Sequence, residues 1–392
     1  MRKVYLCLCS IILIGIFILN LKTDYFVSAY FDGDIFSTFS SDSYILIDAD
    51  SDVVLASKNI EEKMQVASIC KLMTCLLTIE KIEDGLINLN DDVVASEYAC
   101  SMEGSQAFLD AGCKYKVSDV LKSVIVASAN DSAVVLAELI SGNENSFVGL
   151  MNDRAKELGM NNTVYANATG LPQPNQYSTA LDTSKILKEI YKHDLYVKNS
   201  NIWIDNLIHP SGRKTELVNT NRLIKYYDKC KTGKTGFTDE AGYCLASLSS
   251  NNNLNLVAVT LKCDKPQDRF KESMELFNYG FANFERKNII DSSKPLNNSI
   301  KVSGGKLDKC SLKFKNDFNV VLKKGDKSGY DVKIDIEKEI FAPKQLNYKV
   351  GLATIIKDGK VVGEVEILLN ESVEKQEFNN IINKISDKWS II

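Results

Sequence analysis

Three short stretches of this 392-residue chain hold residue types that can act on one another: Ser68-Ile69-Cys70-Lys71, Ser128-Ala129-Asn130 and Lys234-Thr235-Gly236. A serine and a lysine three positions apart on a helix share one face. A lysine held in a buried, cation-lined site loses its proton near neutral pH, and the free amine can take the proton of the serine hydroxyl. Such a pair makes a nucleophile without histidine. That matters here, because the chain has only His193 and His209, in YKHDLY and IHPSG. Neither lies beside a serine motif, and there is no G-x-S-x-G elbow. Both read as surface or structural histidines. At Ser128 a hydroxyl can relay a proton to a leaving amine, and the Asn130 amide can hold a substrate carbonyl and the lysine. The plain alternatives are an ordinary helix start at Ser68 and a helix cap at Ser128.

The third motif sits in residues 230–238, CKTGKTGFT, which write K-T-G twice and fit K-T-G-x-T in both copies. A phosphate-binding loop requires a glycine five residues before the glycine of G-K-T. Counting back from Gly233 gives Asp228, so that reading fails. On a strand, side chains alternate, so Lys231 and Lys234 face opposite sides and at most one enters a cleft.

The elements that hold these motifs follow from periodicity. Leu72, Cys75, Leu76 and Ile79 form the apolar stripe of a core helix after SICK, ended by Gly85. Residues 117–140 hold two helical stretches, the first opened by a Ser118 or Asp119 cap and interrupted by polar residues at 128–132. Residues 44–59 read as a hairpin around a polar turn, and 242–263 as two strands around a loop of asparagines. Helices are expected at 146–160 and 268–284. This mixture predicts an α+β domain over residues 30–285. Residues 288–299, NIIDSSKPLNNS, read as a linker. Residues 296–372 then form a small all-β domain of alternating runs, with Asp358-Gly359 as a hairpin turn. Residues 374–392 read as an amphipathic helix, with Phe378, Ile381, Ile382, Ile385, Trp389 and Ile392 on one face.

Bulk properties narrow the function class. At 45% hydrophobic residues the chain has enough apolar material for a large core, and a net charge of −4 argues against a nucleic-acid partner. Arg2 and Lys3 precede an apolar run at 4–19 and a small-residue VSA site, so residues 1–29 read as a secretory signal peptide. An uncleaved anchor is the alternative. Eight cysteines follow this segment, at scattered spacings that suggest free, partly buried thiols. None has metal-ligand spacing, and no metal or cofactor is implied.

In the order S-x-x-K, S-x-N, K-T-G the three motifs form the constellation of penicillin-binding proteins and β-lactamases. From about 44 to 283 the sequence resembles the low-molecular-weight penicillin-binding D-alanyl-D-alanine carboxypeptidases. The stretches that carry this are ILIDADSDVVLASKN, ASICKLMT, SANDSAVVLAE, KELGMNNTVYANATGL, YSTALD, KTGFTDEAGYCLA and DRF with NYGF. The resemblance implies a β-lactamase/transpeptidase-like catalytic domain. It also selects the second K-T-G, because only Lys234 places Ala241-Gly242-Tyr243 at the family's distance. Lys231 is then a decoy.

Carried over, the resemblance makes Ser68 the acylated nucleophile, Lys71 its base, and Ser128 and Asn130 the opposite wall. Lys234 adds positive potential near the substrate's terminal carboxylate, which Thr235 and Thr238 hydrogen-bond. Gly236 lets the substrate backbone lie against the strand, and the N–H groups of Ser68 and Phe237 form the oxyanion hole. The implied partners are peptidoglycan stem peptides ending in D-Ala-D-Ala, β-lactam antibiotics and, through residues 374–392, the outer face of the cytoplasmic membrane. The sequence departs from the family at Val66, where many relatives have proline, at Cys70, which replaces a threonine and is expected to pack, and in the doubled K-T-G.

Two rivals share the motifs. A class A β-lactamase needs a deacylating glutamate, which ELGMN offers at Glu157, but that residue reads as an ordinary helix end. A non-catalytic wall-binding protein on the same fold is the other. An endopeptidase would use the same machinery.

Overall fold

The structure, a computed structural model, describes residues 36–377. The expected signal peptide at 1–29 lies outside the described residues, as does 378–392 of the expected tail helix. Two compact units divide at Ala282/Asn283.

The first unit is built on a five-stranded antiparallel sheet. Its strands are β1 (Ser43–Asp48), β2 (Val54–Lys58), β3 (Cys230–Thr238), β4 (Gly242–Asn251) and β5 (Leu254–Cys263), in the order β2-β1-β5-β4-β3. Both hairpin expectations are met. The β4–β5 turn is Asn252-Asn253 with φ of 47° and 62°, the left-handed pair that a two-residue hairpin requires and that asparagine tolerates.

Alternation along the strands sends Ile45, Ile47, Val257 and Val259 into one large apolar cluster with the helices. Leu46 and Leu256 point the other way, against Gly280 of the helix Asp268–Asn283, where a Cβ would collide with Leu256.

Over the large cluster lie α1 (Lys71–Glu83), α2 (Val117–Ala127), α3 (Asn130–Ser141) and α4 (Ala180–Tyr191). In α1, Leu72, Met73, Leu76 and Ile79 are fully buried, and Gly85 at φ 72° follows its end. The cap expected at the start of α2 is not there. Lys116 is the N-cap and its side chain makes no capping bond; the free N–H groups of Val117 and Ser118 go instead to the carbonyls of Asp91 and Leu89. Loop carbonyls thus replace the hydroxyl in satisfying the helix terminus.

In the second unit, a six-stranded sheet packs around Ile300, Cys310, Leu312, Ile340 and Val350. Asp358-Gly359 forms the expected turn, with φ of 51° and 75° and Lys357 opposite Lys360. The expected linker is partly strand: Phe284–Ile290 pairs antiparallel with Phe318–Lys323. The first residues of the expected tail helix are not helical either. Glu374 accepts from the Lys306 backbone N–H, and Lys375 bridges Gly305, so sheet-like bonds hold the backbone there.

Among the described residues no helix is long and apolar enough to cross a membrane. All eight described cysteines are free thiols.

Candidate active site

Ser68 lies in a single 3-10 turn, Ala67–Cys70, that leads directly into α1. Ala67 has φ 49°, a left-handed value costly for a residue with a Cβ. The turn is held from two sides by glycines. A Cβ on Gly170 would overlap the Ala67 carbonyl, and one on Gly236 would overlap the Val66 carbonyl. The strand β3 and the loop around Gly170 therefore clamp the turn that presents Ser68, and only glycine permits the approach.

One helical turn on, Lys71 is wholly buried, whereas Ser68 is partly open. Its Nζ lies 2.9 Å from Ser68 Oγ and donates to the Thr169 carbonyl. Burial brings its pKa from 10.5 to about 8, with the Cys70 and Cys75 thiols and Asp131 pulling the other way. The neutral amine that a base requires is therefore far more accessible near pH 7 than in an ordinary lysine. Cys70 beside it is buried, with Sγ 3.3 Å from the Asn167 carbonyl. Its thiol is pushed up to about 12 by burial, so it stays protonated and packs.

The facing wall comes from the break between α2 and α3. Ser128 caps α2 in the left-handed conformation, φ 61° and ψ 33°. That reversal turns its hydroxyl toward β3, where it accepts from Lys234 Nζ at 2.7 Å. Lys234 is 1% exposed and also donates to the Thr235 carbonyl at 3.1 Å. Burial first, and the Lys71 ammonium second, push it well below the ordinary lysine range. The two serine–lysine pairs thus share one pocket closely enough for one cation to disfavour the other.

Asn130 is 4% exposed. Its Nδ2 donates to the Glu103 carbonyl at 2.5 Å, and its Oδ1 is buried without a hydrogen-bond partner. The expected bond from this amide to the lysine is absent, because Nδ2 is committed to the 103–109 loop. Asp131 ties the same loop down, accepting from the N–H groups of Ala107 and Leu109 at 3.0 and 3.1 Å.

Lys231 is only half-buried and falls at a β-bulge between Cys230 and Thr232. Its neighbour in the repeat, Lys234, is the lysine that enters the pocket. Thr235 Oγ1 donates to Thr220 Oγ1 at 2.7 Å. Thr238 accepts from the Ala241 N–H at 3.0 Å, closing the turn into β4.

Residues that the motifs do not reveal complete the site. Thr169 supplies the second Lys71 acceptor from 98 positions away, and Gly170 admits the Ala67 turn. Arg269 donates from behind to the Gly236 carbonyl at 2.9 Å. The stretches NATGL and DRF hint at these only through the family resemblance.

The histidines stand apart from these pairs. His193 meets Glu83 at 2.8 Å, and buried His209 lies 2.9 Å from Tyr115 and 2.8 Å from Thr215. Glu157 is paired with Arg154 at 3.0 Å and its side chain is 64% exposed. Glu80, Glu189 and His193 converge, but Arg154 already bridges the two carboxylates at 2.8 and 3.4 Å.

Comparison with known proteins gives a consistent result. Residues 33–265 match the family described as D-alanyl-D-alanine carboxypeptidase, and residues 284–375 match the C-terminal domain of penicillin-binding protein 5. The D-alanyl-D-alanine carboxypeptidase DacF of Bacillus subtilis (strain 168) is 35% identical over 387 residues, covering 98% of either chain. DacC of Escherichia coli (strain K12) is 30% identical over 346 residues, covering 86% of this chain and 85% of that one. Among solved structures, penicillin binding protein 5 from Haemophilus influenzae aligns with a TM-score of 0.73 at 28% identity, over 86% of this chain and 98% of that one.

Proposed function

The chain belongs to the D-alanyl-D-alanine carboxypeptidase family, and from that premise we propose that it removes the terminal D-alanine of peptidoglycan stem peptides through an acyl-enzyme on Ser68. Lys71 in its neutral form takes the Ser68 proton as Oγ attacks the penultimate carbonyl carbon. The N–H groups of Ser68 and Phe237 receive the oxyanion, a contribution of about 3 kcal/mol per donor in other hydrolases. The amide C–N bond then breaks, and the leaving amine takes a proton through Ser128. Water resolves the ester, with Lys71 again as base. A β-lactam acylates the same oxygen. Asn130 lines the opposite wall with Ser128, and Lys234, Thr235 and Thr238 receive the terminal carboxylate.

The observation that carries this reading is the 2.9 Å contact between Ser68 Oγ and a fully buried Lys71. It gives a chain with two histidines, both engaged elsewhere, a base one helical turn from a hydroxyl. The β-lactamase reading loses its base, since Glu157 is exposed and paired with Arg154.

The test is release of D-alanine from a peptide ending in D-Ala-D-Ala, together with a labelled-penicillin adduct on Ser68. Both are expected in the wild type and absent in Ser68→Ala. An adduct that survives Ser68→Ala overturns the assignment, and rapid penicillin turnover in place of a long-lived adduct restores the β-lactamase.

The site of action is the extracytoplasmic wall. Export rests on the sequence pattern of 1–29, and attachment to the outer face of the membrane on the apolar residues that recur at helical spacing in 378–392. Unchanged liposome binding after deletion of 378–392 dismisses the anchor.

A further inference from the structure

Nothing in the catalytic steps above uses the side chain of Phe237, yet the residue, one beyond Gly236, is 47% exposed. The ring stacks on Tyr243, its partner across the β3–β4 ladder, with centroids 4.3 Å apart and planes at 19°. The Arg269 guanidinium lies 5.4 Å from the Tyr243 ring, and its bond to the Gly236 carbonyl at 2.9 Å fixes it to the same strand. Phe237 is therefore a braced aromatic surface, held from behind by a ring and a cation.

Strand alternation says where that surface faces. Lys234 reaches Ser128 and Gly236 meets the Val66 carbonyl, so both point toward the Ser68 layer. Thr235 and Phe237 then share the opposite face, about 6–7 Å apart at two residues of strand rise. A hydroxyl able to hold a carboxylate stands at one end of that spacing and an apolar ring at the other.

We propose that the Phe237–Tyr243 stack is the wall that limits the size of the substrate's C-terminal residue. The inference rests on the functional reading above, in which Lys234 and Thr235 hold the terminal carboxylate. A carboxylate anchored there leaves its own α-substituent beside the ring. A methyl group finds apolar contact, while a branched or longer side chain meets a surface that cannot move aside, because Tyr243 and Arg269 back it. Phe237 is thus a specificity residue for the leaving amino acid, distinct from the backbone N–H that the same residue contributes.

The test uses the mature protein and two peptides that differ only in their last residue, D-alanine or D-leucine. Wild type is expected to favour the D-alanine peptide by roughly 10–200-fold in kcat/KM, the span that excess bulk at a tight pocket commands. Phe237→Ala is expected to cut that preference by about tenfold or more, chiefly through KM for the D-leucine peptide. Tyr243→Leu, which removes the brace and leaves the ring, is expected to relax it by a smaller factor. A labelled-penicillin adduct on Ser68 in each variant reports a folded site. A preference unchanged within twofold in both variants overturns the wall while leaving the carboxypeptidase standing. Failure of wild type to release D-alanine at all overturns the functional reading, and the wall with it.

Discussion

Two serine–lysine pairs face each other in one pocket, Ser68 with Lys71 at 2.9 Å and Ser128 with Lys234 at 2.7 Å. Residue type and distance do not tell them apart. Their backbones do. Ser68 sits at the start of a helix, partly open, with its lysine one turn behind it on the same element. Ser128 sits at a helix end, 3% exposed, and its lysine comes from a strand 106 positions later. A nucleophile needs an open oxygen and a base that stays with it, and only the first pair offers both. The second pair is suited to passing protons and holding charge.

Exchanging the roles is the sharpest way to break that contrast. Ser68→Ala is expected to remove the penicillin adduct and lower D-alanine release by roughly 10⁴-fold or more. Ser128→Ala is expected to keep the adduct and slow turnover by about 10²–10³-fold, the scale of a lost proton relay. Mass spectrometry of the adduct distinguishes them, and an adduct kept in Ser68→Ala but lost in Ser128→Ala reverses the assignment.

The lysines differ in the charge state each task requires. Lys71 must be neutral to act, and burial brings it to about 8. Its ammonium form therefore predominates below that pH and is inactive, so the acid limb of kcat/KM is expected to rise with pH through about 8. Lys71→Met should lose that limb along with most activity. Lys234 must be charged to attract a carboxylate, yet burial and Lys71 both oppose its charge in the empty site. A bound carboxylate reverses this, and the Lys234 cation it stabilises in turn disfavours the charge on Lys71. The acid limb of kcat is therefore expected at lower pH than that of kcat/KM. Lys234→Met should raise KM and abolish the difference between the two profiles. Coincident limbs in the wild type would separate the lysines electrically and weaken the comparison.

Gly236 joins the two pairs mechanically, because the Val66 carbonyl occupies the place of a Cβ there. Gly236→Ala must push β3 away from the Ser68 turn. We expect a stability loss on the order of 1–3 kcal/mol, read by thermal unfolding, and slower acylation by penicillin. Here the sequence supports a different use of the residue from the one it serves in the fold. The family resemblance marks Gly236 as room for substrate, while in the fold it serves first as room for Val66.

What was legible follows the same division between local and distant. The S-x-x-K pair, the core stripe of α1 and the two-residue turns at 252–253 and 358–359 are fixed by neighbours within a few positions, and periodicity and turn chemistry expose them. Partners supplied from afar leave no such mark. The Thr169 carbonyl, the Glu103 carbonyl that claims Asn130, and the loop carbonyls that replace a cap at α2 are backbone groups, whose position no side-chain pattern encodes. The strand Phe284–Ile290 was hidden for a related reason. Its last residues, Asn288 to Ile290, read as the start of a linker until the pairing with Phe318–Lys323 supplies their partners.

The doubled K-T-G gives the smallest expected effect and a strict control. Lys231 and Lys234 share flanking residues, so local sequence cannot choose between them. The bulge between Cys230 and Thr232 leaves Lys231 half-exposed, while Lys234 is buried against Ser128. A solvated lysine outside the pocket contributes neither potential nor contacts to a bound carboxylate, since water screens it. Lys231→Ala is therefore expected to change KM and kcat by less than about twofold, a surface substitution, where Lys234→Met raises KM strongly. Steady-state kinetics of the two variants side by side check this. A strand able to slip by one repeat would bring Lys231 into the pocket and let it rescue Lys234→Met, so residual activity of that single variant should be unchanged by adding Lys231→Ala.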